Sequence, residues 1–96
     1  MYGTIAKLKV RPGKLDELIK IAGHYGEIDI PGMLWTHLYQ SEDDPNECWI
    51  AVAFDSKDAY TANADSPEQN TRYEAMRALL SADPVWNDGV VVQSVS

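Results

Sequence analysis

PGMLWTHLYQ (Pro31–Gln40) and ECWIAVAF (Glu47–Phe54) are two apolar-rich segments joined by the polar connection SEDDPN (Ser41–Asn46). Two strand-length apolar runs around a turn-rich linker read as an antiparallel hairpin. Successive strand side chains point to opposite sides, so Met33, Trp35, His37 and Tyr39 share one face, and Leu34, Thr36 and Leu38 the other. In the second segment Cys48, Ile50, Val52 and Phe54 oppose Trp49, Ala51 and Ala53. Neither strand has a purely polar face. The hairpin is therefore expected at the centre of a sheet covered on both sides.

Upstream, Tyr2–Val10 alternates as a strand with Tyr2, Thr4, Ala6, Leu8 and Val10 on one face and Ile5 on the other. Lys7 and Lys9 favour an edge position or a lean toward solvent. Arg11-Pro12-Gly13 ends the strand. From Lys14 the apolar spacing becomes Leu15, Leu18, Ile19, Ala22, one helical stripe that fades near Gly23 or Gly26. Pro31-Gly32 then turns the chain into the hairpin.

Downstream, Asp55 or Ser56 caps a short helix carrying Ala59, Tyr60 and Ala62 that loosens around Asn63–Asp65. Ser66-Pro67-Glu68-Gln69 starts another, with serine as N-cap, proline in the first turn and Gln69 at the capping-box position. Tyr73, Met76, Arg77 and Leu80 form its stripe, and Asp83-Pro84 stops it. Asn87-Asp88-Gly89 reads as a turn, and Val90–Val95 as a final β-branched strand. Trp86 is expected to plug the sheet end, with partner contact as a second option.

With 96 residues the chain reads as one domain, residues 1–96. A chain of this size hides only about 60–65% of the surface that its unfolded form exposes, so every large apolar side chain counts. Cys48 is the sole cysteine, which excludes an intrachain disulfide and fits a reducing compartment. No apolar run approaches the roughly 18–20 residues that span a bilayer, and a soluble cytoplasmic protein is expected. The net charge of −7 argues against nucleic acid as a partner. No stretch has zinc spacing, a glycine-rich phosphate loop or calcium-loop spacing, so no metal is expected.

The order β, α, β, β, α, β, with the second helix broken in two, suggests an α+β ferredoxin-like fold. A four-stranded antiparallel sheet would carry its helices on one face. The other face would expose apolar side chains, and a homodimer with the two sheets facing each other would cover them.

These residues also resemble a known family. Pro31-Gly32, Asp43-Asp44-Pro45-Asn46, a strand ending in an aromatic and followed by Asp55-Ser56-Lys57-Asp58-Ala59-Tyr60, then Ser66-Pro67 and Pro84-x-Trp86-x-Asp88-Gly89, look like the antibiotic-biosynthesis monooxygenases. The resemblance covers nearly the whole chain and implies a dimeric α/β barrel with a pocket between helices and sheet. It further implies cofactor-free oxidation of polycyclic phenols by O2. The aromatic ending the third strand is usually tryptophan in that family and is Phe54 here, so an indole N–H is lost. Haem-degrading relatives combine a first-strand asparagine, that tryptophan and a second-helix histidine; this chain has Ala6 or a neighbour, Phe54 and no histidine after His37. Haem degradation is not expected.

The candidate catalytic residues are therefore His37, Tyr60, Tyr73 and Arg77, and the candidate substrate-binding residues Trp35, Phe54, Tyr60 and Met76. Phe54 also reads as a plain core aromatic. His37, the strand-borne group that titrates near neutrality, reads either as a general base or as a satisfied sheet histidine at the pocket margin. Tyr73 and Arg77 are four residues apart on one helical face, where a phenol and a guanidinium would line a mostly apolar cavity. A non-catalytic binding or structural dimer is the alternative reading.

Overall fold

The computed structural model describes residues 1–95. The chain runs β1 (Tyr2–Lys9), α1 (Leu15–His24), β2 (Met33–Gln40), β3 (Glu47–Phe54), α2 (Lys57–Ala64), α3 (Pro67–Arg77) and β4 (Val85–Val90). All pairings are antiparallel in the order β2-β3-β1-β4, the ferredoxin-like arrangement. The hairpin is thus off-centre: β3 is interior and β2 an edge. β1 is interior too, so Lys7 and Lys9 mark a face and not an edge. Ile5, Lys7 and Lys9 are exposed, whereas Thr4, Ala6 and Leu8 are buried.

Alternation through β1 and β3 puts Ala6, Leu8, Cys48 and Ile50 under the helices, each no more than 4% exposed. Val10, Leu18, Met76, Leu79 and Leu80 complete this close-packed cluster. Leu18 is fully buried while Ile19 is half exposed, and Ile21 packs inward in its place. The α1 stripe is rotated from the one the sequence suggests. On the outer face Ile5, Tyr39, Trp49 and Val85 remain exposed, and Lys7 reaches Glu47 at 2.9 Å.

A bulge interrupts the alternation of β2. Met33 pairs with Phe54 but Trp35 already pairs with Ala53, so Leu34 is an extra residue. Strict parity groups Met33 with Trp35, His37 and Tyr39. The bulge separates them, turning Met33 to the helix face while the other three stay outside.

The two later helices start as their sequences require. Ser56 Oγ accepts from Ala59 N–H at 3.0 Å, and Ser66 Oγ from Gln69 N–H at 3.1 Å. The third helix ends at Arg77, short of Asp83-Pro84, because the next residues turn to β1. Arg11 N–H donates to Leu79 carbonyl at 2.8 Å, and Ser81 N–H to Lys9 carbonyl at 2.9 Å. That clamp lets the chain enter β4 early. Asn87-Asp88-Gly89 is consequently strand and not turn, and β4 ends at Val90, with one more bond from Val91 N–H to the Met1 carbonyl at 2.9 Å, so that most of the expected Val90–Val95 strand is not strand. Gly32 holds the hairpin entry against α2: its φ is +81°, and a Cβ there would lie 2.6 Å from the Ala59 Cβ.

Candidate functional site

At the end of the sheet where β1 and β3 meet α2, the helix layer does not close. A cavity of about 430 Å³ opens between sheet and helices, within the range of small-molecule sites. Phe54, Met76 and Val52 form apolar wall, with Met33 delivered by the bulge and Tyr73 and Trp86 alongside. The Tyr73 and Trp86 rings lie 6.2 Å apart. Trp86 is therefore wall and not plug.

Tyr60 is the best-fixed polar group in this space. Its ring meets Phe54 at 5.6 Å and Tyr2 at 5.2 Å, both edge-to-face, which leaves it little rotational freedom. Its hydroxyl donates to Asp88 Oδ1 at 2.9 Å. Asp88 can accept it because β4 pairs Asp88 with Thr4 across from α2. Burial, and after it the hydrogen bond and charge of Asp88, push the Tyr60 pKa up to about 12. Tyr60 is thus a neutral phenol throughout the physiological range. The Thr4 hydroxyl is directed at the Tyr60 phenol closely enough to lower that pKa slightly, but the pair does not reach hydrogen-bond geometry, which leaves the Thr4 oxygen without a partner.

A second polar set lies on α2 and α3. Arg72 donates to Gln69 Oε1 at 3.0 Å and to Asn63 Oδ1 at 3.3 Å, and stands 6.0 Å from the Tyr25 ring centre. Asn63, Gln69 and Tyr25 line the cavity; Arg72 does not. Burial raises the Tyr25 pKa, while Gln69 and Arg72 partly offset it. Arg72 therefore orients two amides from behind and contributes no charge to the wall.

Of the residues expected at the site, Phe54, Tyr60, Tyr73 and Met76 line the cavity together. Trp35, His37 and Arg77 do not. Trp35 and His37, their rings 5.0 Å apart, face away from the helices on the outer face they share with Tyr39. Arg77 is drawn to the C-terminal end of α3, where Nε bonds Asp83 Oδ1 at 2.8 Å and Nη1 the Leu80 carbonyl at 3.0 Å. Sequence reasoning missed Thr4 and Asp88. Thr4 had a signal, as the one aliphatic hydroxyl on the otherwise apolar or aromatic face of β1. Asp88 was hidden by a turn-like tripeptide that the structure makes a strand.

The family model for antibiotic biosynthesis monooxygenase matches residues 1–81. No curated protein matches the chain by sequence. Among solved structures, a candidate antibiotic biosynthesis monooxygenase from Chloroflexus aurantiacus is similar at 29% identity and TM-score 0.80, over 99% of this chain and 96% of that one. One from Caulobacter crescentus is 23% identical with TM-score 0.80, over 96% and 90%. A variant of SnoaB, a cofactor-independent oxygenase from Streptomyces nogalater, shares the fold at 16% identity and TM-score 0.79, over 98% and 95%. The family match spans most of the chain, and the fold agrees across these neighbours: this protein belongs to the antibiotic biosynthesis monooxygenase family.

Proposed function

We propose that the protein is a cofactor-independent monooxygenase that oxidises a small polycyclic phenol with O2 in the cavity beneath α2 and α3. Family membership supports the reaction class, and SnoaB, described as a cofactor-independent oxygenase, supports chemistry without a cofactor. The observation that carries the reading is the Tyr60–Asp88 hydrogen bond at the open edge of a cavity with aromatic and apolar walls. A phenol placed against Tyr60 passes its proton to the Tyr60 oxygen as Tyr60 passes its own to Asp88. The resulting phenolate is electron-rich enough to reduce O2. One oxygen atom bonds to a ring carbon, which loses its hydrogen, and the other leaves as water; phenol plus O2 gives quinone plus water, with all electrons supplied by the substrate. Phe54, Tyr73, Met76 and Trp86 hold the ring.

Oxygen uptake with a panel of naphthols and anthracenols tests this. Tyr60→Phe and Asp88→Asn should each lower kcat by roughly 10²-fold or more, while His37→Ala and Arg77→Ala leave it unchanged. Uptake indifferent to both site changes would refute the assignment. Phe54, where the family pattern has tryptophan, favours a second reading, a binding protein without turnover; ligand binding with no oxygen uptake would establish it.

The homodimer through the outer sheet face belongs to the same proposal. Ile5 at 57%, Tyr39 at 59% and Val85 at 58% exposure make an apolar face that a second sheet would cover. A monodisperse 10.7 kDa species in sedimentation at micromolar concentration would exclude it. Residues 1–96 acting as one domain, in a reducing cytoplasm suited to the unpaired Cys48, complete the reading. No helix is long and apolar enough to cross a membrane among the described residues.

A further inference from the structure

Thr4 is 6% exposed, lines the cavity, and has a hydroxyl with no hydrogen-bond partner, the one such buried side-chain atom among the described residues. An unpaired buried hydroxyl is a cost to the fold, and valine would fill the same space without it. Next to it, Tyr60 commits its only proton to Asp88 and has lone pairs left to accept with. Asp88 is the one charged residue lining the cavity. The cations around it are engaged elsewhere: Lys57 of α2 lies over the Tyr2 ring at 5.7 Å, Arg72 holds Gln69 and Asn63, and Arg77 holds Asp83. This polar corner therefore offers acceptors, one uncommitted hydroxyl and a single negative charge.

We propose that Thr4 and the Tyr60–Asp88 pair form a subsite for an un-ionised hydroxyl of the ligand, which donates to the Tyr60 oxygen and accepts from Thr4. The cavity then takes up neutral phenols or enols and rejects phenolates and carboxylates. This rests on the same cavity as the proposed function and deepens it: the substrate enters protonated and is ionised in place. The Tyr60 pKa near 12 is consistent, since the phenol stays intact while the ligand titrates.

The test is binding, followed by tryptophan fluorescence in oxygen-free buffer, with 2-naphthol against 2-naphthoate and with a nitronaphthol titrated across its own near-neutral pKa. Naphthol is expected to bind at least about tenfold more tightly than naphthoate, and the nitronaphthol to be released as it ionises. Thr4→Val should weaken naphthol about three- to tenfold, the worth of one hydrogen bond. It should leave the Tm of the free protein unchanged or raised. Thr4→Ser should restore the affinity, and Asp88→Asn should narrow the gap between naphthol and naphthoate. Naphthoate binding as tightly as naphthol, or no naphthol binding at all, would overturn the inference. So would a Thr4→Val protein with lowered Tm and unchanged affinity, because the hydroxyl would then be structural. Binding in the expected pattern without oxygen uptake in air supports the subsite and refutes the oxygenase reading.

Discussion

The layer between sheet and helices is built in two ways at its two ends. Around Leu8, Leu18, Cys48 and Leu80 the side chains are fully buried and touch one another on all sides, and α1 needs no side-chain N-cap to stay in place. Around Phe54, Tyr60 and Tyr25 the residues are aromatic, and a 430 Å³ space remains between them and α3. The second helix, α2, buries no residue completely, and both α2 and α3 begin with a serine cap. One end is held by apolar burial. The other is held by local hydrogen bonds that leave room for a ligand.

The strongest test of that contrast is kinetic. Cys48 has no exposed surface, and burial, followed by the charge of Glu47, raises its pKa. Its reaction with a thiol reagent should be roughly a thousandfold or more slower than that of a free thiol, governed by global opening of the packed end. Fast labelling would show that this end is not closed.

Next in size, Leu8→Ala should cost about 2–5 kcal/mol in urea unfolding. Met33→Ala at the cavity should cost about 1 kcal/mol, since a cavity-lining side chain already lacks neighbours on one side. Equal losses at the two positions would erase the distinction. Ser56→Ala and Ser66→Ala should each cost about 1 kcal/mol. Removing Lys14 at the start of α1, which makes no cap hydrogen bond, should cost less than either.

The smallest effect is a pH dependence confined to the hollow end. The folded pKa of Tyr60, about 12, lies above the ordinary tyrosine value of 10.0. Below pH 10 both folded and unfolded states hold the proton, and the stabilising contribution is complete. Between about 10 and 12 the unfolded chain releases it first, so stability falls as pH rises. Tyr60→Phe should flatten the decline of Tm in that window; an unchanged slope would mean that neither burial nor Asp88 holds the proton on the phenol.

Much of the packed end was legible because its signals are periodic. Leu15 and Leu18 at helical spacing and the alternation of Tyr2–Val10 report burial directly, and Ser66-Pro67-Glu68-Gln69 marks a helix start through chemistry that needs no tertiary context. Phe54, Tyr60, Tyr73 and Met76, singled out from a strand end and a helix stripe, line one cavity. The misses came where a non-local contact overrides a local pattern. Arg77 follows its stripe but is captured by Asp83. Asn87-Asp88-Gly89 has turn composition, yet the hydrogen bonds of Leu79 and Ser81 with the end of β1 bring it into the sheet as a strand. Trp35, His37 and Tyr39 do share a face, as alternation implies, but alternation alone does not say which face of β2 meets the helices, and here it is the other one.

That extra residue, Leu34, works as a phase shifter. On its far side β2 writes Trp35, His37 and Tyr39 to the outer surface; on its near side the same strand writes Met33 to the cavity. Deleting Leu34 would restore plain alternation with Met33 still opposite Phe54 and facing the cavity, so it is the extra residue itself that lets Met33 and Trp35, two apart in sequence, point to opposite faces. One eight-residue strand thus sends Met33 and Thr36 to the cavity wall and Trp35, His37 and Tyr39 to the outer surface, so either set of side chains can change without re-aiming the other.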